Sequence, residues 1–302
     1  MPEAAPSSRR EQALGLVARI SEIRATRPRA IAEALEQRRR RPLLNEDGVL
    51  FLIAADHTAR GVLKAGADPM AMADRGELLS RLMVALSRPG VDGLLATADI
   101  VEDLALLGAL DNKVVFGSMN RGGLGGASFE LDDRFTAYTA EAIAAAGLDG
   151  GKMMVRIHDD EFGTLSTLVA CADAISALAA RRLPAMVEVF ASTDDPDALM
   201  RAVTIASGLG GTSAYTWLKL PVVADMQRVL SATTLPTVLL GGDPSSGAAL
   251  VDRWAQAMAA PQVRGLVVGR TLLYPADGDV AAAVDAAAAV LPRRQARRTR
   301  NA

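Results

Sequence analysis

The sequence predicts an α/β fold, a (β/α)8 TIM barrel with an N-terminal helical extension. Three observations point there. Eight short apolar runs recur along the 302 residues, and most are followed by a helical stretch. The length suits one large α/β domain. No early strand–turn–helix unit carries the glycine fingerprint of a dinucleotide-binding fold, which weighs against the main rival, a doubly wound open sheet.

Residues 1–12 (MPEAAPSSRREQ) are polar and read as a flexible start. Residues 11–41 read as helical, with Leu14, Leu16, Val17, Ile20, Ile23 and Ile31 as apolar positions, and the helical extension is placed at 13–47 within a single domain spanning 13–292. The run Arg38-Arg39-Arg40-Arg41 reads as a solvated helix end rather than a phosphate or RNA contact.

The first strand is Gly48–His57, a continuous apolar run closing on Asp56 and His57, as expected of a strand buried on both faces. The next runs are 91–97, 113–119, 152–158, 184–190, 212–221, 236–243 and 263–270. Helices are expected near 100–110, 134–146, 164–181, 196–207, 222–232, 246–259 and 277–291. Between the third strand and its helix lies Asn120-Arg121-Gly122-Gly123-Leu124-Gly125-Gly126. Its GGxGG spacing does not match GxGxxG, and a lid or substrate loop fits it better. The Arg-rich tail 293–302 reads as a flexible basic end.

Composition narrows the function. Half the residues are hydrophobic and the formal net charge is -2, so the whole chain makes no case for nucleic acid. The one cysteine, Cys171, falls in a helical pattern and reads as an inert buried thiol, and two histidines, His57 and His158, give no zinc-type spacing. No secretory signal and no uninterrupted apolar run of membrane-spanning length is read, so a soluble cytoplasmic protein is expected.

Catalytic side chains of a barrel come from the C-terminal ends of its strands. Those ends supply Asp56 and His57, Arg156 and His158, Glu188, Lys219, Asp243, and Gly269-Arg270. A lysine in an apolar strand is favoured in its neutral form, and a neutral amine attacks carbonyls. Parity places Ser213, Tyr215, Trp217 and Lys219 on one face. Lys219 is therefore the first candidate nucleophile, with Arg156 lowering its pKa and Glu188 and Asp56 as proton carriers. Arg156 also reads as an ion-pair partner of Glu188. Lys152 shares parity with Arg156 and is the second candidate nucleophile. The turns Gly241-Gly242-Asp243 and Gly269-Arg270-Thr271 each precede a helix, a setting in which barrels bind phosphate.

These motifs resemble the class I, Schiff-base aldolases of the deoxyribose-phosphate, archaeal-type fructose-bisphosphate and tagatose-bisphosphate group. The likeness rests on Ala55-Asp56-His57, Trp217-Leu218-Lys219, Leu240-Gly241-Gly242 and Val268-Gly269-Arg270, in an order of elements covering most of 48–291. It implies Lys219 as the imine-forming residue, Asp56 at the substrate, and phosphate at Gly242 and Gly269-Arg270. Glu188 resembles the strand-five acid of the tagatose-bisphosphate branch. More narrowly, the chain is similar to an actinobacterial branch found among inositol-degradation enzymes. That branch implies cleavage of 2-deoxy-5-keto-gluconate 6-phosphate into dihydroxyacetone phosphate and malonic semialdehyde.

The expectation is a class I aldolase acting on a phosphorylated ketose or keto-acid, with no metal and no other cofactor, because an iminium serves as the electrophile. Its partner is a small sugar phosphate, with Gly242, Asp243, Gly269, Arg270, His57 and Lys152 as binding residues. No nucleic acid or membrane partner is expected. Barrels of this kind commonly assemble, so a homo-oligomer is one expectation. The rival readings are a sugar-phosphate isomerase or epimerase and a non-catalytic sugar-phosphate-binding barrel.

Overall fold

The structure is a computed structural model, and it describes residues 9–292 apart from 121, 192–194 and 243–246. Eight parallel strands close on one another in sequence order: β1 (Leu50–Ala55), β2 (Gly93–Ala96), β3 (Val114–Ser118), β4 (Gly150–Ile157), β5 (Ala185–Ala191), β6 (Thr216–Leu220), β7 (Thr237–Leu240) and β8 (Val263–Val268). β1 pairs with both β2 and β8, so no sheet edge is left open.

Around the strands run α1 (Arg9–Thr26), α2 (Arg29–Gln37), α3 (Arg75–Ser87), α4 (Ala98–Leu106), α5 (Ala140–Ala145), α6 (Phe162–Ala180), α7 (Pro196–Ser207), α8 (Met226–Leu230), α9 (Gly247–Ala257), the short α10 (Arg270–Leu273) and α11 (Val280–Ala289).

Two cores follow from strand parity. Outward-facing residues such as Phe51, Ile53, Leu94, Val115, Val187 and Leu218 pack against the helices. Inward-facing Leu50, Leu52, Val114, Phe116, Met186, Trp217, Val238 and Val267 fill the barrel. Every residue of β1 is buried, as its unbroken apolar run requires. The inner filling turns polar one layer higher, at Asp56, Ser118, Lys152, Glu188 and Lys219, all buried.

Several elements differ from expectation. The N-terminal helical region is two helices broken at Arg27-Pro28, because proline cannot continue a preceding helix, and it ends at Gln37 rather than reaching 41 or 47. α1 begins at Arg9, inside the stretch expected to be flexible. α3, between β1 and β2, carries no predicted counterpart. It is capped by the Asp74 carboxylate, which accepts from the Glu77 N–H at 2.9 Å.

The sixth strand is shorter than the predicted 212–221. The Thr212 hydroxyl accepts from the Ala214 N–H and Ser213 C=O from the Thr216 N–H, forming a turn that occupies the groups a longer strand would pair. Ser213 therefore lies outside the strand face that carries Trp217 and Lys219.

The arginine run is not a solvated helix end. Arg38 donates to Lys113 C=O at 2.5 Å and to Gly147 C=O at 2.8 Å, and pairs with Asp149 at 3.2 Å. Arg40 joins Asp149 at 2.7 Å and Arg41 joins Asp92 at 2.6 Å. These aspartates also accept strand N–H groups from Val115 and Phe51, so the run clamps the N-terminal end of the barrel.

α6, 19 residues interrupted by Asp173, is by length and composition apolar enough to cross a membrane. α6 instead covers β4 and β5, burying Cys171, Ala174, Ile175 and Leu178. Burial pushes the Cys171 thiol up to about 12, as expected for an inert thiol.

Candidate active site

The buried polar layer opens into a cavity of about 320 Å³ at the C-terminal mouth of the barrel. Lys219, Glu188, Asp56, His57, Gly242, Gly269 and Arg270 line it, joined by Arg60, Glu130, Met154 and Phe190. Most residues expected at the site thus share one chamber. Asp243 lies outside the described residues.

Strand register builds the centre. Glu188 on β5 is the direct partner of Lys219 on β6 and of Met154 on β4. Lys152 sits one inward position below Met154, so the two lysines approach the same carboxylate from either side. Lys219 Nζ donates to Glu188 Oε1, and Lys152 Nζ pairs with Glu188 Oε2. Lys152 Nζ also donates to Asp56 Oδ2 at 3.0 Å, and the Ser118 hydroxyl donates to that same oxygen at 2.9 Å. The result is a continuous buried chain of charge, Asp56–Lys152–Glu188–Lys219.

Burial pushes the Lys219 amine below its ordinary value; Glu188 opposes this and the Lys152 charge adds to it. Burial would raise the Glu188 carboxyl, but the two lysine charges override that and hold it down at about 2. Lys219 is thus a desolvated amine hydrogen-bonded to an ionised carboxylate.

Arg156 was expected beside Lys219 or Glu188, and the structure places it elsewhere. Its guanidinium binds Asp133 two-pronged, Nε to Oδ2 at 2.7 Å and Nη2 to Oδ1 at 2.9 Å, and faces the loop between β3 and α5. The cation next to Lys219 is Lys152, two inward positions lower than Arg156 on the same strand face. The GGxGG loop does lie at the mouth. Arg60 Nε donates to Gly123 C=O at 2.6 Å, and the Gly125 N–H donates to Arg60 C=O at 2.8 Å.

At the β7 and β8 ends, the Gly242 N–H donates to Thr271 Oγ at 3.2 Å and the Thr271 hydroxyl donates back to Gly242 C=O at 2.9 Å. Arg270 Nη1 donates to Lys64 C=O at 3.2 Å. Gly269 is sterically required: a Cβ there would stand 2.5 Å from Ala54 C=O oxygen and 2.8 Å from His57 Cε1. His57 thus walls this corner, with Nδ1 4.0 Å from Asp56 Oδ1. Among the described residues no three His, Cys, Asp or Glu side chains form a metal-binding group.

Sequence reasoning missed Ser118, Arg60 and Glu130. Ser118 closes β3 and was open to the same strand-end reading as Asp56. Arg60 and Glu130 sit on irregular segments, where no periodicity marks a direction.

The fold is a (β/α)8 barrel. It is similar to a Schiff-base-forming fructose-1,6-bisphosphate aldolase (17% identity, TM-score 0.61, covering 87% of this chain and 100% of that one). It is also similar to an archaeal fructose-1,6-bisphosphate aldolase with its catalytic lysine covalently bound to the carbinolamine intermediate (16% identity, TM-score 0.62, covering 86% and 99%). At these identities the likeness is one of fold.

The chain belongs to the Cgl0159-like family, whose model matches residues 48–288. Correspondingly, it is 52% identical to Cgl0159 from Corynebacterium glutamicum, whose crystal structure aligns with a TM-score of 0.89 over 92% of this chain and 97% of that one. No curated protein matches the chain.

Proposed function

We propose that this protein is a metal-independent class I aldolase that cleaves a phosphorylated ketose or keto-acid through a Schiff base on Lys219. The observation that carries the reading is the contact of Lys219 Nζ with Glu188 Oε1 at the floor of the cavity. A nucleophilic amine and a proton carrier in contact are what imine formation requires.

In this reading the neutral Lys219 amine adds to the substrate ketone, giving a carbinolamine. Glu188 relays to the departing hydroxyl the proton it took from the Lys219 ammonium, and loss of water gives the iminium. The iminium draws in the electron pair of the neighbouring carbon–carbon bond as a carboxylate takes the proton from the substrate hydroxyl. An aldehyde departs, leaving an enamine. Protonation at carbon and hydrolysis release the ketone product and restore Lys219. Lys152, held by Asp56 and Glu188, supplies positive charge beside the reacting oxygen. Gly242, Gly269 and Arg270 hold the phosphate. Lys152 is the weaker nucleophile candidate because it touches two carboxylates and lies deeper.

Within this reading 2-deoxy-5-keto-gluconate 6-phosphate stands as the candidate substrate, and the enzyme works in the cytoplasm. The test is hydrogen exchange at C3 of dihydroxyacetone phosphate in heavy water, followed by proton NMR. An aldolase of this type exchanges one C3 proton through the enamine and forms no glyceraldehyde 3-phosphate. Conversion to that aldose would replace the reading with an isomerase, and binding without exchange would replace it with a binding module.

A further inference from the structure

On the side of the mouth away from the glycine turns, two arginines share one loosely held carboxylate. Arg60 follows β1 and Arg156 ends β4; both side chains are about nine-tenths buried. Glu130, from the loop between β3 and α5, places Oε1 3.5 Å from Arg156 Nη1 and 3.9 Å from Arg60 Nη2. Its other oxygen accepts from the Gly126 N–H at 2.8 Å. The Glu130 side chain is 43% exposed and lines the same cavity as Lys219.

Contrast Asp133. It is fully buried and binds Arg156 two-pronged at 2.7 and 2.9 Å, so it is a fixed partner that offsets one guanidinium charge. Glu130 meets the second charge at distances longer than a charge-assisted hydrogen bond, from an exposed position. A counter-ion held this way exchanges at little cost for a ligand anion that approaches more closely.

We infer that Arg60 and Arg156 form a carboxylate subsite whose resident occupant is Glu130, so that the substrate is a keto-acid phosphate with its carboxylate at this end. The orientation rests on the proposed phosphate site at Gly242, Gly269 and Arg270, across the cavity from Arg60 and Glu130. The charge argues for carboxylate over phosphate. An incoming carboxylate carries the same single charge as the side chain it displaces, whereas a phosphate dianion would exceed it. The nitrogens that face the Glu130 carboxylate, Arg156 Nη1 and Arg60 Nη2, come one from each guanidinium, so a two-oxygen acceptor can meet both at once.

The test is calorimetric titration of the full chain with 6-phosphogluconate, glucitol 6-phosphate and glucitol 1,6-bisphosphate. None of the three carries a ketone, so binding is read independently of Schiff-base chemistry. The wild type should bind 6-phosphogluconate about tenfold more tightly than glucitol 6-phosphate, and more tightly than the bisphosphate. Glu130→Gln keeps the acceptor for Gly126 and removes the competing charge. It should tighten 6-phosphogluconate by about fivefold and leave glucitol 6-phosphate within twofold.

Arg60→Lys, with folding verified by thermal melt, should erase the preference. Should Arg60→Lys not fold, Arg156→Lys serves the same purpose. Equal affinities for the first two ligands, a preference for the bisphosphate, no binding, or no response to Glu130→Gln would each overturn the subsite. A Lys219 imine with none of these preferences removes the subsite and keeps the aldolase. The preferences without an imine do the reverse.

Discussion

Glu188 and Lys219 are direct register partners on neighbouring strands, and the hydrogen bond between their side chains follows from that pairing. Facing residues of parallel strands point the same way, so an acid on β5 opposite a lysine on β6 puts both groups at one height inside the barrel. Lys152 meets the same acid from β4. Two buried lysines around one carboxylate are tolerated only because that carboxylate and Asp56 answer their charge.

Glu188→Gln should therefore damage the fold as well as the chemistry. It leaves two buried amines sharing a neutral amide, at a cost of roughly 3–5 kcal/mol in denaturant unfolding. The acid side gives a second signature. The folded-state pKa of Glu188 lies below its unfolded value of 4.5, at about 2. Its contribution is fully present above the unfolded value and is lost as pH falls toward the folded one. The Gln variant should lack that part of the wild-type decline in stability between those limits.

Lys219→Met removes the amine and keeps the length of the side chain. It should reduce C3 hydrogen exchange to background. Lys152 remains with Glu188 and Asp56, so the melting temperature should stay close to wild type. A variant that retains exchange would move the nucleophile to Lys152.

The depressed Lys219 pKa sets the pH profile. The neutral amine is the reactive form, so kcat/KM for exchange should rise with pH and level off below the ordinary lysine value of about 10.4. A rate that keeps climbing through that value would mean the amine is not depressed.

Gly269→Ala tests the phosphate corner. The added methyl has no room between Ala54 and His57, so the turn carrying Arg270 must shift. KM for a phosphorylated substrate should rise by about tenfold or more, with a lowered melting temperature from the clash with Ala54. An unchanged KM would place the phosphate elsewhere.

Arg38→Met probes the opposite end of the barrel. The side chain is 2% exposed and serves two carbonyls and Asp149, so its loss leaves buried acceptors unpaired. Unfolding free energy should fall by roughly 2–4 kcal/mol while kcat stays near wild type. Barrels divide stability and catalysis between their two ends in this way.

The barrel was legible in the sequence because short apolar runs recur eight times, the first, Leu50–Ala55, followed by Asp56. Strand parity then carried Lys219 and Glu188 to the interior. Parity also carried Arg156 inward but could not say which acid would claim it. Asp133 does so from an irregular loop that leaves no pattern in the sequence. The same limit hid Arg60 and Glu130. The arginines at 38–41 were misread because a run of like charges looks solvated until the turn carboxylates Asp92, Asp111 and Asp149 are brought to it by the fold.

The most direct test of the central claim is borohydride reduction of the protein with dihydroxyacetone phosphate, followed by peptide mass mapping. A stable adduct on Lys219, absent in Lys219→Met, is the predicted result. An adduct on Lys152 in the wild type, or none while the ligand is shown to bind, would contradict it.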